Sequence, residues 1–349
     1  MSGPAKIRVL IASWLEPEHV ETIRRVDPLV EVIHEPGLLR KPRYAADHNG
    51  VPVPRTSDEE ARWRSLLAQA DILFDFDYTN ADELPDLAPR VRWIQASSAG
   101  IGQFVTRRRY HERFQGATFT TARGIHAVPL AEFCAFAMLG FSRGMFRMHD
   151  LQRQKQWERF AGTDLLGRTL LIFGHGSIGR EVAQRARSFG MKTIGVKRTV
   201  ASENPADHHV DELYAAPDFR SLLPRADFLV LAAPHTASTE RVLGRDELML
   251  LPRGAFVVNI GRGALVDESA MIEALRDGHL GGAALDVFEK EPLPIDSPLW
   301  SMPNVLVSPH SASTSDRENG RLTELFCDNL RRFLRGEPLR NQLDVEKMY

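Results

Sequence analysis

Three side chains, far apart in a sequence of 349 residues, have the makings of a reaction centre: Arg262, Glu291 and His310. An arginine holds a carboxylate through a two-pronged hydrogen bond and polarises a neighbouring carbonyl. An imidazole gives a proton to a carbonyl oxygen and takes it back in the reverse direction. A glutamate on the other ring nitrogen fixes the ring and favours its protonated form. Each residue alone has a plainer reading: a surface cation, turn chemistry before Pro292, a loop histidine after Pro309. As a set they suit carbonyl reduction, provided a hydride source lies beside them. The sequence provides for one, because Gly174, His175, Gly176, Ser177, Ile178 and Gly179 spell GxGxxG. In a dinucleotide-binding turn of this kind Gly174 makes the tight bend, Gly176 leaves room for the pyrophosphate, and Gly179 lets helix and strand pack closely. The helix start adds backbone N–H groups and a positive dipole end.

A bare GxGxxG is a common pattern, and its context decides. Here a strand is expected at Leu170 to Phe173 and a helix at Ile178 to Phe189. Further apolar runs predict strands at Lys192 to Val196, Phe228 to Ala232, Ala255 to Ile260, Ala283 to Leu285 and Val305 to Val307. Continuous runs of this sort suit parallel strands buried on both faces. The segments Asn259–Gly263, Asp286–Pro292 and Ser308–His310 each follow one of them. All three therefore belong at the carboxyl ends of parallel strands, where doubly wound sheets bind ligands.

Upstream, Ile7 to Ala12 reads as a strand and Glu18 to Val26 as a helix, with further strands at Ile72 to Phe76 and Val91 to Gln95. Ser57 followed by Glu60 predicts a capping box that opens a helix to about Gln69. Pro36 to Thr56 has no hydrophobic period and reads as a long loop, of the kind that is often functional. Val128 to Arg153 reads as one long helix, apolar all round in its first half and open to bending at Gly140 and Gly144. The expected fold class is α/β, with two doubly wound parallel-sheet units joined near residue 125.

After Gly195 and Val196, where a strand end usually carries an acid for the ribose hydroxyl of NAD, stand Lys197, Arg198 and Thr199. Two cations and a hydroxyl suit a ribose phosphate, which points to NADP(H), with NAD(H) as the second option. The plainer reading is a solvated strand end. A net charge of −2 gives no field that calls for nucleic acid or an anionic membrane. Arg107, Arg108 and Arg109, followed by Glu112, form a short solvated face. Two distant cysteines, Cys134 and Cys327, fit neither a disulfide framework nor a zinc site, so no metal is expected. No charged-then-apolar leader and no spanning run is evident, so the cytoplasm is the expected compartment.

These residues resemble the D-2-hydroxyacid dehydrogenases, a family that includes glyoxylate and hydroxypyruvate reductases. The likeness runs from about Val91 to the C-terminus. It takes in Ser97-Ser98-Ala99-Gly100, Gly124-Ile125-His126-Ala127 with Pro129, Ala131 and Glu132, and Ala233-Pro234-His235-Thr236 leading to Thr239. The resemblance implies a Rossmann dinucleotide-binding domain, residues 126–312, inserted in a flavodoxin-like substrate domain, residues 1–125 and 313–349. It implies Arg262, Glu291 and His310 as the catalytic set, and backbone amides of Ser98, Ala99 and Gly100 at the substrate carboxylate. Cofactor contacts are implied at Ala233, Pro234, Thr239, Ile260, Gly261, Arg262, Asp286 and His310, besides the glycine turn and Lys197 to Thr199. A small 2-keto or 2-hydroxy acid is the implied substrate, and a homodimer built on the cofactor domain the implied assembly.

Three departures stand out. Ile101 is followed by Gly102 where the family often has Asp, Lys197 replaces the usual acid, and Pro36 to Thr56 looks inserted. That segment borders the active site or a dimer partner, or is a surface excursion. Formate dehydrogenases of this fold pair the histidine with Gln, which Glu291 argues against; phosphite dehydrogenases keep a similar triad. A dinucleotide-sensing scaffold on the same fold is the reading from another class.

Overall fold

In the computed structural model, which describes residues 6–345, the chain divides into two compact units. One runs up to Ile125 and resumes at Thr314; the other is His126–Ser313. The sequence expectation put the second boundary one residue earlier.

The first unit holds strands β1 (Ile7–Ile11), β2 (Val30–Ile33), β3 (Ile72–Phe74), β4 (Trp93–Gln95) and β5 (Thr118–Thr120). They form a parallel sheet in the order β2-β1-β3-β4-β5, which is the flavodoxin-like order. Successive residues of a strand feed opposite faces. Leu10, Leu73 and Ile94 join one apolar cluster, while Val9, Ile11, Ile72, Phe74 and Trp93 join the other. The returning helix Glu318–Arg335 covers the second face, and Trp93 lies flat on its Phe326 at 4.9 Å. Trp93 is thus a core residue. Its indole N–H donates to Thr120 Oγ1 at 2.8 Å.

The second unit holds β6 (Thr169–Phe173), β7 (Lys192–Lys197), β8 (Glu212–Ala215), β9 (Phe228–Leu231), β10 (Ala255–Asn259), β11 (Leu280–Leu285) and β12 (Val305–Val307). Their order is β12-β11-β10-β9-β6-β7-β8, all parallel. The order reverses between β6 and β9, and that switch point is where a Rossmann sheet takes its dinucleotide. Leu171 and Phe173 bury into one face and Leu170 and Ile172 into the other, so β6 is covered on both sides.

Three strands escaped the sequence reading: β2, β5 and β8, which are all edge strands of three or four residues. The expected long helix is two, Ala127–Ser142 and Met145–Gln154, broken where Gly144 takes φ +72°. The capping box sits one residue earlier than expected. Thr56, not Ser57, is the cap, and it exchanges bonds with Glu59 rather than Glu60. Thr56 has the extended backbone a cap needs, and Ser57 is already helical. No helix among the described residues is long and apolar enough to cross a membrane.

Candidate active site

The glycine turn follows β6 directly. Gly174 sits at φ +98°, and a Cβ there would lie 2.4 Å from the Ala233 nitrogen at the end of β9. Only glycine meets both demands. A Cβ on Gly179 would meet the Gly174 carbonyl oxygen at 3.0 Å and Ile172 at 3.2 Å, so helix Ser177–Ser188 rests close on β6. Gly176, by contrast, faces open space, and no side chain caps the helix it precedes. The first bond of that helix runs from the Arg180 N–H to the Gly176 carbonyl at 3.0 Å. The N–H groups ahead of it are those that a helix start leaves for an anion. An open glycine beside an uncapped helix start fits the pyrophosphate of a dinucleotide.

His175 plays a different part from the one its place in the fingerprint suggests. Its ring is buried beneath Gly195 of β7, and its Nε2 lies 2.9 Å from the His208 carbonyl oxygen. Its backbone N–H is spent on the Val196 carbonyl at 2.8 Å. The side chain therefore supports the turn from below. Burial pulls the imidazole pKa down to about 4, against the hydrogen bond to His208. Unfolding returns the ring to its ordinary value near 6.5, so the unfolded chain binds an extra proton between pH 6.5 and 4. Stability is whole above pH 6.5 and declines as pH falls, by about 3 kcal/mol at pH 4. Urea midpoints measured across that range are expected to show a shallower acid decline in His175→Gln; equal slopes would contradict this account.

The strand end after β7 carries Lys197, Arg198 and Thr199, the last two exposed. Lys197 is not idle. Its Nζ lies 2.8 and 3.0 Å from the two carboxylate oxygens of Glu203, and His208 Nε2 lies 3.3 Å from the same group. Arg180 in turn reaches His208 Nδ1 at 2.9 Å. Sequence reasoning missed Glu203, although an acid six residues beyond a cation is a visible signal.

Beyond β9, Ala233 is buried and Pro234 exposed. Thr239 ties this loop down, donating to the Pro234 carbonyl at 2.8 Å and accepting the Thr236 N–H at 2.8 Å. Beyond β10 come Ile260, Gly261, Arg262 and Gly263. A Cβ on Gly261 would meet the Ala233 oxygen at 2.8 Å, and one on Gly263 would lie 1.9 Å from the Phe288 oxygen. The two glycines thus let the Arg262 turn press against both neighbouring strand ends. The Arg262 guanidinium donates to the Gly261 carbonyl at 2.7 Å. The residue stays open to solvent although protein walls it on several sides. That surrounding mass lowers its pKa, and Glu291 opposes the shift. A guanidinium starts so high that it remains a cation.

Glu291 and His310 meet. His310 Nδ1 lies 2.7 Å from Glu291 Oε2, while Glu291 Oε1 accepts the Phe288 N–H at 3.1 Å. Both side chains are partly exposed. The carboxylate fixes the ring and leaves Nε2 as the outward nitrogen. His310 itself sits at φ +54°, a conformation that side chains seldom adopt and that persists where surroundings impose it. Asp286 imposes it. This residue is buried; its backbone oxygen accepts the His310 N–H at 3.0 Å, and its Oδ1 accepts Ser308 Oγ and the Ser311 and Ala312 N–H groups at 2.5 to 2.9 Å. Nothing in the sequence marked Asp286 as an anchor for the histidine turn.

Ser98, Ala99 and Gly100 belong to the other unit, on a turn after β4. Ser98 and Gly100 are exposed there, and the Gly100 N–H donates to Ser98 Oγ at 3.2 Å. A cavity of about 450 Å³ opens elsewhere, among Phe141, Arg168, Asp227 and Gly254. It lies at the amino ends of β6, β9 and β10, opposite the chemistry, and is not a candidate for it.

A model of the NAD-binding domain of the D-isomer specific 2-hydroxyacid dehydrogenases matches residues 135–312. The chain is 33% identical over 322 residues to the glyoxylate reductase of Thermococcus litoralis, covering 88% of this chain and 90% of that protein. It is also 33% identical over 233 residues to the D-3-phosphoglycerate dehydrogenase of Methanocaldococcus jannaschii; that match covers 66% of this chain and 44% of the relative. Among solved structures, an NADPH-dependent glyoxylate/hydroxypyruvate reductase from Sinorhizobium meliloti, in complex with NADP and sulfate, is similar with a TM-score of 0.75 at 26% identity. That similarity covers 99% of this chain and 100% of the other.

Proposed function

The chain belongs to the D-isomer specific 2-hydroxyacid dehydrogenases, oxidoreductases that work with a nicotinamide cofactor, and on that premise we propose that it reduces a small 2-keto acid, glyoxylate or hydroxypyruvate first, with NADPH preferred over NADH. The observation that carries the reading is the His310–Glu291 pair at 2.7 Å, set among the strand ends that bear the glycine turn and Arg262.

The groups that would hold the cofactor are the Gly174–Gly179 turn for the pyrophosphate and Lys197, Arg198 and Thr199 for the ribose phosphate. Ala233, Pro234, Thr239, Ile260, Gly261 and Asp286 line or support the remaining strand ends. A bound reduced nicotinamide supplies the hydride. Arg262 holds the substrate carboxylate and draws electron density toward the keto oxygen. His310, held through Nδ1 by Glu291, delivers a proton from Nε2 to that oxygen and takes one back in the oxidative direction. The backbone of Ser98, Ala99 and Gly100 is assigned to the substrate carboxylate on the family pattern. The reading extends to a cytoplasmic homodimer joined through the cofactor unit. Exposed Phe136, Met148 and Trp157 support that surface; sedimentation at the monomer mass would contradict it.

NADPH preference rests on the cations after β7 and on the NADP-bound relative. The ratio of kcat/KM for NADPH to that for NADH, with one keto acid, tests it; a ratio below one would overturn it. Glu203 already neutralises Lys197, so a ribose phosphate must compete with it. Glu203→Gln is expected to raise the ratio by about two- to fivefold, the order of one exposed charge pair turned from repulsive to neutral. An unchanged ratio would remove Lys197 from the phosphate site.

A further inference from the structure

The segment 36–56 carries none of the residues given a role above, yet it is built into its unit. Lys41 and Val51 bond to each other across it in both directions, at 2.9 and 2.7 Å. Asp47 is buried and accepts the Arg43 N–H, two Arg43 guanidinium nitrogens and the Gly50 N–H, all within 2.7 to 3.1 Å. Arg55 reaches back to the Leu38 carbonyl with two nitrogens. The next side chain, His48, is thereby carried inward. Its Nδ1 lies 3.0 Å from Ser13 Oγ and 4.0 Å from Asp75 Oδ2. Its Nε2 is buried and has no hydrogen-bond partner among the described residues.

Ser13 follows β1 and Asp75 follows β3. Those two strands are the neighbours where the order 2-1-3-4-5 reverses, the switch point at which such sheets bind ligands. Asp75 is fully buried and, like His310, sits in the left-handed region, at φ +66°. Its carboxylate accepts Ser97 Oγ at 2.7 Å, the Ser97 N–H at 3.2 Å and the Tyr78 hydroxyl at 3.2 Å. Ser97 is the last buried residue before the exposed turn Ser98–Gly100. The chain of contacts therefore runs from the inserted segment, through His48, Ser13 and Asp75, to the root of the turn assigned to the substrate carboxylate.

We propose that Asp75 is a positioning residue for the Ser98–Gly100 turn, and that the 36–56 segment serves to seat His48 behind it. The proposal rests on the substrate role given to that turn. Asp75→Ala is expected to raise KM for glyoxylate about tenfold while kcat falls by about threefold at most and NADPH affinity is unchanged. His48→Ala shifts KM the same way to a smaller extent. His48→Asn, whose amide can reach Ser13 as Nδ1 does, restores most of it. Hydrogen exchange at the Ser97–Gly100 amides gives a readout that needs no turnover. Those amides are expected to exchange faster in Asp75→Ala, while the amides of β3 and β4 keep their protection. Should Asp75→Ala fail to fold, Ser97→Ala carries the same test from the other end of the bond. Unchanged KM, no rescue by Asn, or unchanged exchange at the turn would each overturn the proposal, and so would loss of protection throughout the unit in both Asp75→Ala and Ser97→Ala. A wild-type protein that turns over no keto acid would sink the functional reading instead, and the exchange data would still decide the positioning role.

Discussion

Replacing His310 by alanine is expected to slow keto-acid reduction about 10³-fold while leaving NADPH binding within about twofold, because general acid catalysis contributes on this scale and the ring carries no phosphate contact. Nδ1 is taken by Glu291 at 2.7 Å, so the proposed proton delivery falls to Nε2. Glu291→Gln keeps a side chain that can still hold the ring at Nδ1, so its loss is expected to be smaller than that of His310→Ala. Fluorescence titration of NADPH alongside single-turnover rates would check both. A His310→Ala enzyme with near-normal turnover would show that the proton comes from elsewhere.

Arg262→Ala is expected to fail in a different way: a KM for the keto acid raised about tenfold or more, together with a kcat lowered about 10²-fold, because the guanidinium acts on the bound acid and on the developing oxyanion alike. Arg262→Lys keeps the charge and loses the two-pronged geometry, so it is expected to recover little of either. A Lys variant close to wild type would mean that Arg262 acts as a point charge only. The turn itself constrains how these variants are read. Gly261 and Gly263 fit against backbone on both sides, so a change of the side chain between them leaves the close-packed frame intact. Steady-state kinetics with glyoxylate, read beside an unchanged melting temperature, would separate the chemical role from a structural one.

Much of this site was legible in the sequence because its parts sit where strands end. Continuous apolar runs marked β6, β7, β9, β10, β11 and β12 to within a few residues, and the GxGxxG, GRG and SPH segments fell at their ends. The illegible parts share a physical reason: they depend on contacts distant in sequence. Edge strands β2 (VEVI), β5 (TFT) and β8 (ELYA) carry polar residues, so they show no continuous apolar run and form because a neighbour offers a ladder. The His175 ring looked like part of the phosphate turn, and only the packing of Gly195 shows that it points the other way. Asp286 matched the family pattern, but its work of bending the chain at His310 is visible only when Ser308, Ser311 and Ala312 converge on it. The same holds for Asp75 and His48, brought together from 27 positions apart (75 − 48) by a segment with no period at all.

The proposed reaction passes hydride from a bound reduced nicotinamide to the keto carbon of a small 2-keto acid. The direct measurement is transfer from NADPH labelled with deuterium at the reactive ring carbon, with glyoxylate and hydroxypyruvate offered in turn and the product read by mass spectrometry. The expected product is a 2-hydroxy acid carrying one deuterium at carbon 2 for each NADPH consumed, and none with His310→Ala on the same timescale. Bound NADPH that stays reduced with every keto acid offered, or product without the label, would contradict it.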